Sequence, residues 1–164
     1  MALHFSKQEF EKRKLATLKS MKEQNLDALL MFRQESMFWL TGYDTFGYVF
    51  FQTLILDQKG NIILLTRAPD LRQAQNTSNI EDIRIWVDKD QSNPTENLKV
   101  ILNELNLKGK KIGIEYEAYG MTGRNALRLN KSLHAYCEVE DQSELITKHR
   151  VVKSTEEIVY VKKA

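Results

Sequence analysis

The chain has 164 residues, 42% of them hydrophobic and 28% charged, which suits one ordinary domain with a sizeable core. Its 24 basic and 22 acidic side chains leave a net charge of +2, a balance that argues against a nucleic-acid or membrane-surface partner. "MALHFSKQEF" lacks the apolar stretch of a signal peptide and no run approaches the ~20 apolar residues of a membrane span, so the expected location is the cytoplasm.

The elements follow in chain order. "FSKQEF" opens a helix over about 6–24, with Ser6 as cap, Glu9 closing a capping box, Phe5 stapling against Phe10, and a stripe of Phe10, Leu15, Leu18 and Met21. "DALLMF" (27–32) reads as a buried strand, and "SMFWLTGY" (36–43) as a short helix ending near Gly42. "YVFFQTLILD" (48–57) and "NIILLT" (61–66) are strands joined by a "QKG" hairpin turn with glycine at a positive φ. "APDLRQAQNT" (68–77) is helical and "IRIWV" (83–87) alternates as a strand.

Asn93 caps a helix over 93–105, with Pro94 at its first position, Glu96 closing a box, and Leu98, Ile101, Leu102 and Leu105 as its stripe. "KKIGIEYE" (110–117) is a strand, and "MTGRNALRLNKSL" (121–133) a helix capped by Thr122. "AYCEVE" (135–140) is a strand whose single cysteine, Cys137, reads as a structural thiol and excludes an intrachain disulfide. "SELITKHR" (143–150) is a short helix. Alternating strands and helices with one early hairpin predict an α/β fold: a mixed, mostly parallel sheet of five or six strands with helices on both faces.

The last stretch, "RVVKSTEEIVYVKKA" (150–164), opens a capped helix at Ser154 and Glu157, with Ile158 and Val161 starting an apolar stripe, and stops after about two turns. The expected organisation is a domain over 1–150, then a junction over 151–164 holding the first helix of an absent domain, poorly anchored to the first.

Catalytic patterns are missing: no GxGxxG, no phosphate-binding loop, no HExxH, no GxSxG. His4, His134 and His149 sit in different elements without ligand-like spacing. The acids of "IED" (80–82), "EYE" (115–117) and "EVED" (138–141) lie at strand ends or turns and declare no converging site. The short basic runs "KGKK" (108–111) and "KHRVVK" (148–153) read as solvated surface.

Two stretches stand out. "GYDTFG" (42–47) is either a packed turn or an exposed contact loop, because exposed Tyr and Phe are costly unless they meet something. In "TRAPDLRQA" (66–74), Arg67 and Arg72 can grip a carboxylate with Asp70 orienting one of them, or Asp70 is a first-turn acid and the arginines are solvated.

Taken together, "FWLTGYD", "KKIGIEYE" and "HRVVKSTEEIVYVKKA" resemble the N-terminal domain of the creatinase / Xaa-Pro peptidase (prolidase and aminopeptidase P) family of metallohydrolases. The junction pattern R-x-x-K-S-x-x-E-I is its most specific part. "TGYDTFGY" and "TRAPDLRQA" look closest to the creatinase-like and ectoine-hydrolase-like branches. The resemblance implies a ribonuclease H-like fold without a catalytic residue or metal ligand in these residues. It implies two divalent metals (Mn, Co or Zn) in an absent catalytic domain of the metal-dependent branch, a homodimer, and a small peptide or amidine/amide substrate. It also implies that the loop after the "TGY" run reaches the partner subunit's active site, here through Tyr43, Asp44, Phe46 and Tyr48. Creatinase has an arginine just beyond its aromatic residue there, where this chain has Phe50 or its neighbours, which argues against recognition of creatine itself; if Arg67 or Arg72 faces the cleft, either can replace it as an anchor for a substrate carboxylate. The alternative is a protein-interaction module of a catalytically inactive relative, as in histone-chaperone subunits, although near-neutral charge and the lack of an acidic tail argue against histone binding.

Overall fold

A computed structural model describes residues 3–164. Six strands form one sheet in the order β4-β3-β2-β1-β5-β6. They are β1 (Ala28–Met31), β2 (Thr53–Asp57), β3 (Ile62–Arg67), β4 (Asp82–Trp86), β5 (Lys111–Ile114) and β6 (Glu138–Asp141). β1 pairs antiparallel with β2 and β2 with β3, while β1–β5, β3–β4 and β5–β6 are parallel. The expected mixed, mostly parallel sheet is what forms, with the "QKG" hairpin closed at Gly60 (φ 85°).

The helices are α1 (Lys7–Glu23), α2 (Gln34–Thr41), α3 (Leu71–Thr77), α4 (Pro94–Glu104), α5 (Gly123–Leu133), α6 (Leu145–Val151) and α7 (Thr155–Val161). The period of two along each strand splits the core between the two faces of the sheet. Leu30, Ile55, Leu65, Ile112 and Ile114 face Leu98, Ile101 and Leu102 of α4 and Leu129 and Leu133 of α5. Leu29, Met31, Leu54, Leu56 and Leu64 face Met21 of α1, Met37 and Leu40 of α2, Ala74 of α3, and Leu145 and Ile146 of α6. Each such fully buried side chain contributes about 1.5–3 kcal/mol of transfer free energy. Among the described residues no helix is long and apolar enough to cross a membrane.

Several local expectations are corrected. The buried face of α1 is Phe10, Arg13, Thr17 and Met21, and Leu15 is 57% exposed. Leu15 lies five residues past Phe10, well off the face that a 3.6-residue period carries inward. Arg13 and Thr17 enter the core because their polar atoms are bonded: Thr17 donates to the Arg13 carbonyl, and Arg13 donates to Glu9 and to the Trp39 carbonyl. Ser6 caps α1, but Glu9 does not close the box; the Ser6 N–H donates instead to Glu156. At α4, Glu96 accepts from the Asn93 side chain, not from its backbone N–H. Residues 47–49 form a 3-10 turn, so β2 starts only at Thr53. Ala135 at φ 57° delays β6 to Glu138.

The helix at the chain's end contributes no residue to the core, as expected, but polar contacts tie it to the start of the chain. Its capping box is complete, and Glu156, Glu157 and Tyr160 reach the start of α1. The Ser6 hydroxyl donates to Glu156 at 2.6 Å, Arg13 lies 3.2 Å from Glu157, and the Tyr160 hydroxyl donates to the His4 carbonyl at 2.6 Å.

Gly42 ends α2 at φ 80°, donating its N–H to Phe38. A Cβ there would lie 3.0 Å from the Thr77 carbonyl oxygen. Gly42→Ala is therefore expected to lower stability by about 1–3 kcal/mol. Urea denaturation measures it, and an unchanged midpoint would refute the strain argument.

Candidate functional site

β1 and β5 are parallel neighbours, and the helices that follow them cross to opposite faces: α2 packs with the Leu29 side and α5 with the Ile112 side. A crevice therefore opens beyond their carboxyl ends, the position where open α/β sheets hold ligands. Here the chain fills the crevice itself. Glu115, just past β5, is completely buried. One of its oxygens accepts the backbone N–H groups of Phe32 and Arg33, both at 3.0 Å, and the other accepts the Ser36 hydroxyl at 2.6 Å. Burial raises its pKa from an ordinary 4.5 to about 7, against the lowering effect of the Ser36 hydroxyl and the two N–H groups. Sequence reading left this acid unassigned among the strand-end carboxylates. The available signal was the Arg33 cap position of α2, which offers no side-chain acceptor and so requires one from elsewhere.

Arg33 rims the crevice and is committed there. It donates to the Glu117 carboxylate at 2.5 Å, the Glu117 carbonyl at 2.6 Å and the Thr147 hydroxyl at 2.6 Å. Two clefts flank α2's first turn. One, of about 450 Å³, runs past Phe5, Phe38, Trp39, Asp44 and Lys153. The other, of about 410 Å³, runs past Tyr48, Glu117, Tyr119 and Thr147. Gln34, Glu35 and Arg150 line both.

The "GYDTFG" loop is both packed and exposed. Tyr43 is fully buried, with its hydroxyl donating to Gln52 at 2.9 Å and lying 3.3 Å from the Thr66 hydroxyl. Burial raises its pKa, so the hydroxyl stays protonated. Thr45 is buried in the same network, and Gly47 packs so closely on Asp70 that a Cβ would meet its carboxylate at 2.5 Å. Between them Asp44 is exposed, Phe46 is 85% exposed and Tyr48 is half-buried against Tyr119, ring centres 5.6 Å apart. Tyr43 thus serves as the loop's internal anchor, a correction to its expected place as a contact residue. Asp70 is buried and orients Arg67 at 3.0 Å, and the Arg67 guanidinium lies 3.5 Å over the Phe50 ring. Arg72 is exposed on α3, apart from that pair.

Elsewhere the titratable groups look structural. Burial pushes the Cys137 thiol up to about 11, unsuited to a nucleophile. His149 stacks on Trp39 and shares a 3.0 Å hydrogen bond with Ser20, and burial lowers its pKa. Among the described residues no three His, Cys, Asp or Glu side chains come together to hold a metal, and the two-metal centre that the resemblance implies is expected in a different domain.

Residues 13–152 match the family model of the creatinase/prolidase N-terminal domain. The chain belongs to this family. It is 29% identical over 169 residues to an uncharacterized hydrolase/peptidase, y4tM, of Sinorhizobium fredii, covering 99% of this chain and 43% of the relative. It is 24% identical over 171 residues to the ectoine hydrolase of Halomonas elongata, covering all of this chain and 43% of that protein. The prolidase of Thermococcus sibiricus has the same fold, with a TM-score of 0.77 at 19% identity over 94% of this chain and 40% of its own. The chain thus spans less than half the length of these family members.

The raised pKa of Glu115 sets a pH dependence. A carboxyl that ionises at about 7 in the fold and near 4.5 when unfolded contributes stability that is full below about 4.5 and lost as pH rises through about 7. Stability is expected to fall over that window by up to a few kcal/mol. Glu115→Gln keeps an acceptor for the two N–H groups and should flatten the slope. Denaturation at a series of pH values measures both, and a parallel slope in the variant would remove Glu115 as the cause.

Proposed function

We propose that this chain is the non-catalytic N-terminal domain of a creatinase/Xaa-Pro dipeptidase-like C–N hydrolase, and that it contributes to dimerisation and shapes the partner subunit's substrate pocket. The observation that carries the reading is the Phe46 ring, 85% exposed at the tip of a loop whose neighbours Thr45 and Gly47 are buried. With Val49, Phe50 and Tyr119, also exposed, it forms an apolar rim at the carboxyl end of the parallel strands. A large exposed apolar rim marks a contact surface. Asp44 and Tyr48 sit on that rim, and Arg67, held by Asp70, stiffens it beneath Phe50. Arg72, exposed on α3, makes no ion pair among the described residues and stays a second candidate cation for this contact.

In this reading bond-breaking belongs to a further domain, supported by the 43% of each curated relative that the chain spans. The substrate class is a small Xaa-Pro peptide or a creatine- or ectoine-like amidine or amide, acted on in the cytoplasm. Divalent metals such as Mn, Co or Zn would reside in that domain and activate water there.

Two measurements test this. Chain 1–164 with added manganese, cobalt or zinc is expected to show no turnover of proline dipeptides, and activity that copurifies with it would overturn the assignment of chemistry elsewhere. In the full-length protein, Phe46→Ala is expected to leave thermal stability within about 0.5 kcal/mol. It should also raise KM several-fold or weaken the dimer seen by light scattering. Unchanged kinetics and an unchanged dimer would leave the rim without this role and favour a protein-interaction module.

A further inference from the structure

The groove over α2 holds an unused cation. The other arginines that line it are already engaged: Arg13 donates to Glu9 and the Trp39 carbonyl and is ion-paired with Glu157, and Arg33 donates to Glu117 and Thr147. Arg150 lines both clefts and is only half-exposed. Among the described residues its guanidinium makes no hydrogen bond or ion pair; only its carbonyl is engaged, by Lys153. The N–H groups at the start of α2, which would otherwise attract an anion, are taken by Glu115. Positive charge available to a ligand in the crevice therefore comes from side chains. Tyr48 and Tyr119 stand beside it as an edge-on aromatic pair, with Tyr119 73% exposed.

We infer that this groove binds a small carboxylate-bearing molecule with an apolar body, its carboxylate paired with Arg150 and its body against Tyr48 and Tyr119. A guanidinium fork matches a carboxylate with two parallel hydrogen bonds. A cleft of about 410 Å³ with an aromatic wall and a cation in its lining has the size and lining of a small-molecule site. Glu117 on the rim is neutralised by Arg33. Glu35 lines both clefts and, among the described residues, makes no ion pair, so it disfavours a dianion and accepts an N–H donor from the ligand. Every residue involved belongs to one subunit, so the site stands independently of the dimer proposed above.

The test is an NMR titration of chain 1–164 with phenylacetate and, in parallel, with its uncharged isostere phenylacetamide. Phenylacetate is expected to shift resonances of Arg150, Tyr48 and Tyr119 saturably, with a Kd in roughly the millimolar range. Phenylacetamide is expected to bind at least about tenfold more weakly. Arg150→Gln, at unchanged melting temperature, should bring the acid down to the affinity of the amide, whereas Arg72→Gln, outside both clefts, changes nothing. Tyr119→Ala, at an exposed position, should weaken acid and amide alike. Equal binding of acid and amide, no saturable shift, or an unchanged Kd in Arg150→Gln would each overturn the proposal.

Discussion

The buried Glu115 carboxylate sets how the site is arranged. α2 starts directly after β1 with an arginine in its cap position, so its first N–H groups have no local acceptor. The neighbouring strand supplies one, at the end of the helix where the dipole favours negative charge. Two effects oppose each other there. Hydrogen bonds from two N–H groups and a hydroxyl favour the carboxylate, while complete burial disfavours it, and burial wins. Both protonation states fit the geometry: a neutral acid keeps one oxygen for the two N–H groups and turns its own O–H toward Ser36. The contact therefore survives titration while its strength changes. Because this internal carboxyl group takes the N–H groups that a ligand's anion would use, a ligand in the proposed groove is met by side chains, with Arg150 as its cation.

A second polar knot sets where the chain's last helix lies. Arg13 is 3% exposed, with its guanidinium 4.1 Å from the centre of the Phe5 ring and 5.3 Å from that of Trp39. A buried ion pair of this kind is weak evidence for net stability, because desolvation offsets the attraction. Removing one partner is another matter, since the remaining charge is left stranded, at about 3–5 kcal/mol. The knot thus acts on geometry. It fixes α1, α2 and α7 in one register while Ile158, Val159 and Val161 of α7 stay exposed.

The sheet was legible because its strands are near-continuous apolar runs, and period-two patterning assigns each side chain to a face. Helix ends with a local cap, at Ser6, Asn93, Thr122 and Ser154, were legible for the same reason: the cap and its acceptor lie within a few residues. What escaped was every interaction that closes over a long sequence distance. Glu115 serves a helix about 80 residues earlier, and Glu156 takes the N–H that the local capping-box pattern assigned to Glu9. Leu15 misled because its residue type outweighed its angle on the helix. Arg150 sat inside a basic run that reads as solvated, and only the fold shows that it shares a groove with Arg13 and Arg33, which are paired, while among the described residues its own guanidinium is not. The Tyr43 loop was legible as unusual but not as divided, since burial there alternates residue by residue.

That alternation is the strongest physical reason to regard the loop as built for contact. A flexible loop that presents an aromatic ring must order itself on binding, and each immobilised side chain costs about 0.5–1.5 kcal/mol. Here the ordering is already done in the free chain. Tyr43 is bonded to Gln52 and close to Thr66, Thr45 accepts the Gly47 N–H, and Gly47 leaves no room for a side chain beside Asp70. Arg67 spans from Asp70 to Phe50 and braces the far side. Phe46 is thereby held out on a stiff frame, where its exposed ring raises the free energy of the isolated chain, a cost that the partner contact proposed above would recover. A loop under selection only for turning the chain would need neither the ring at its tip nor the buried hydrogen bonds at its base.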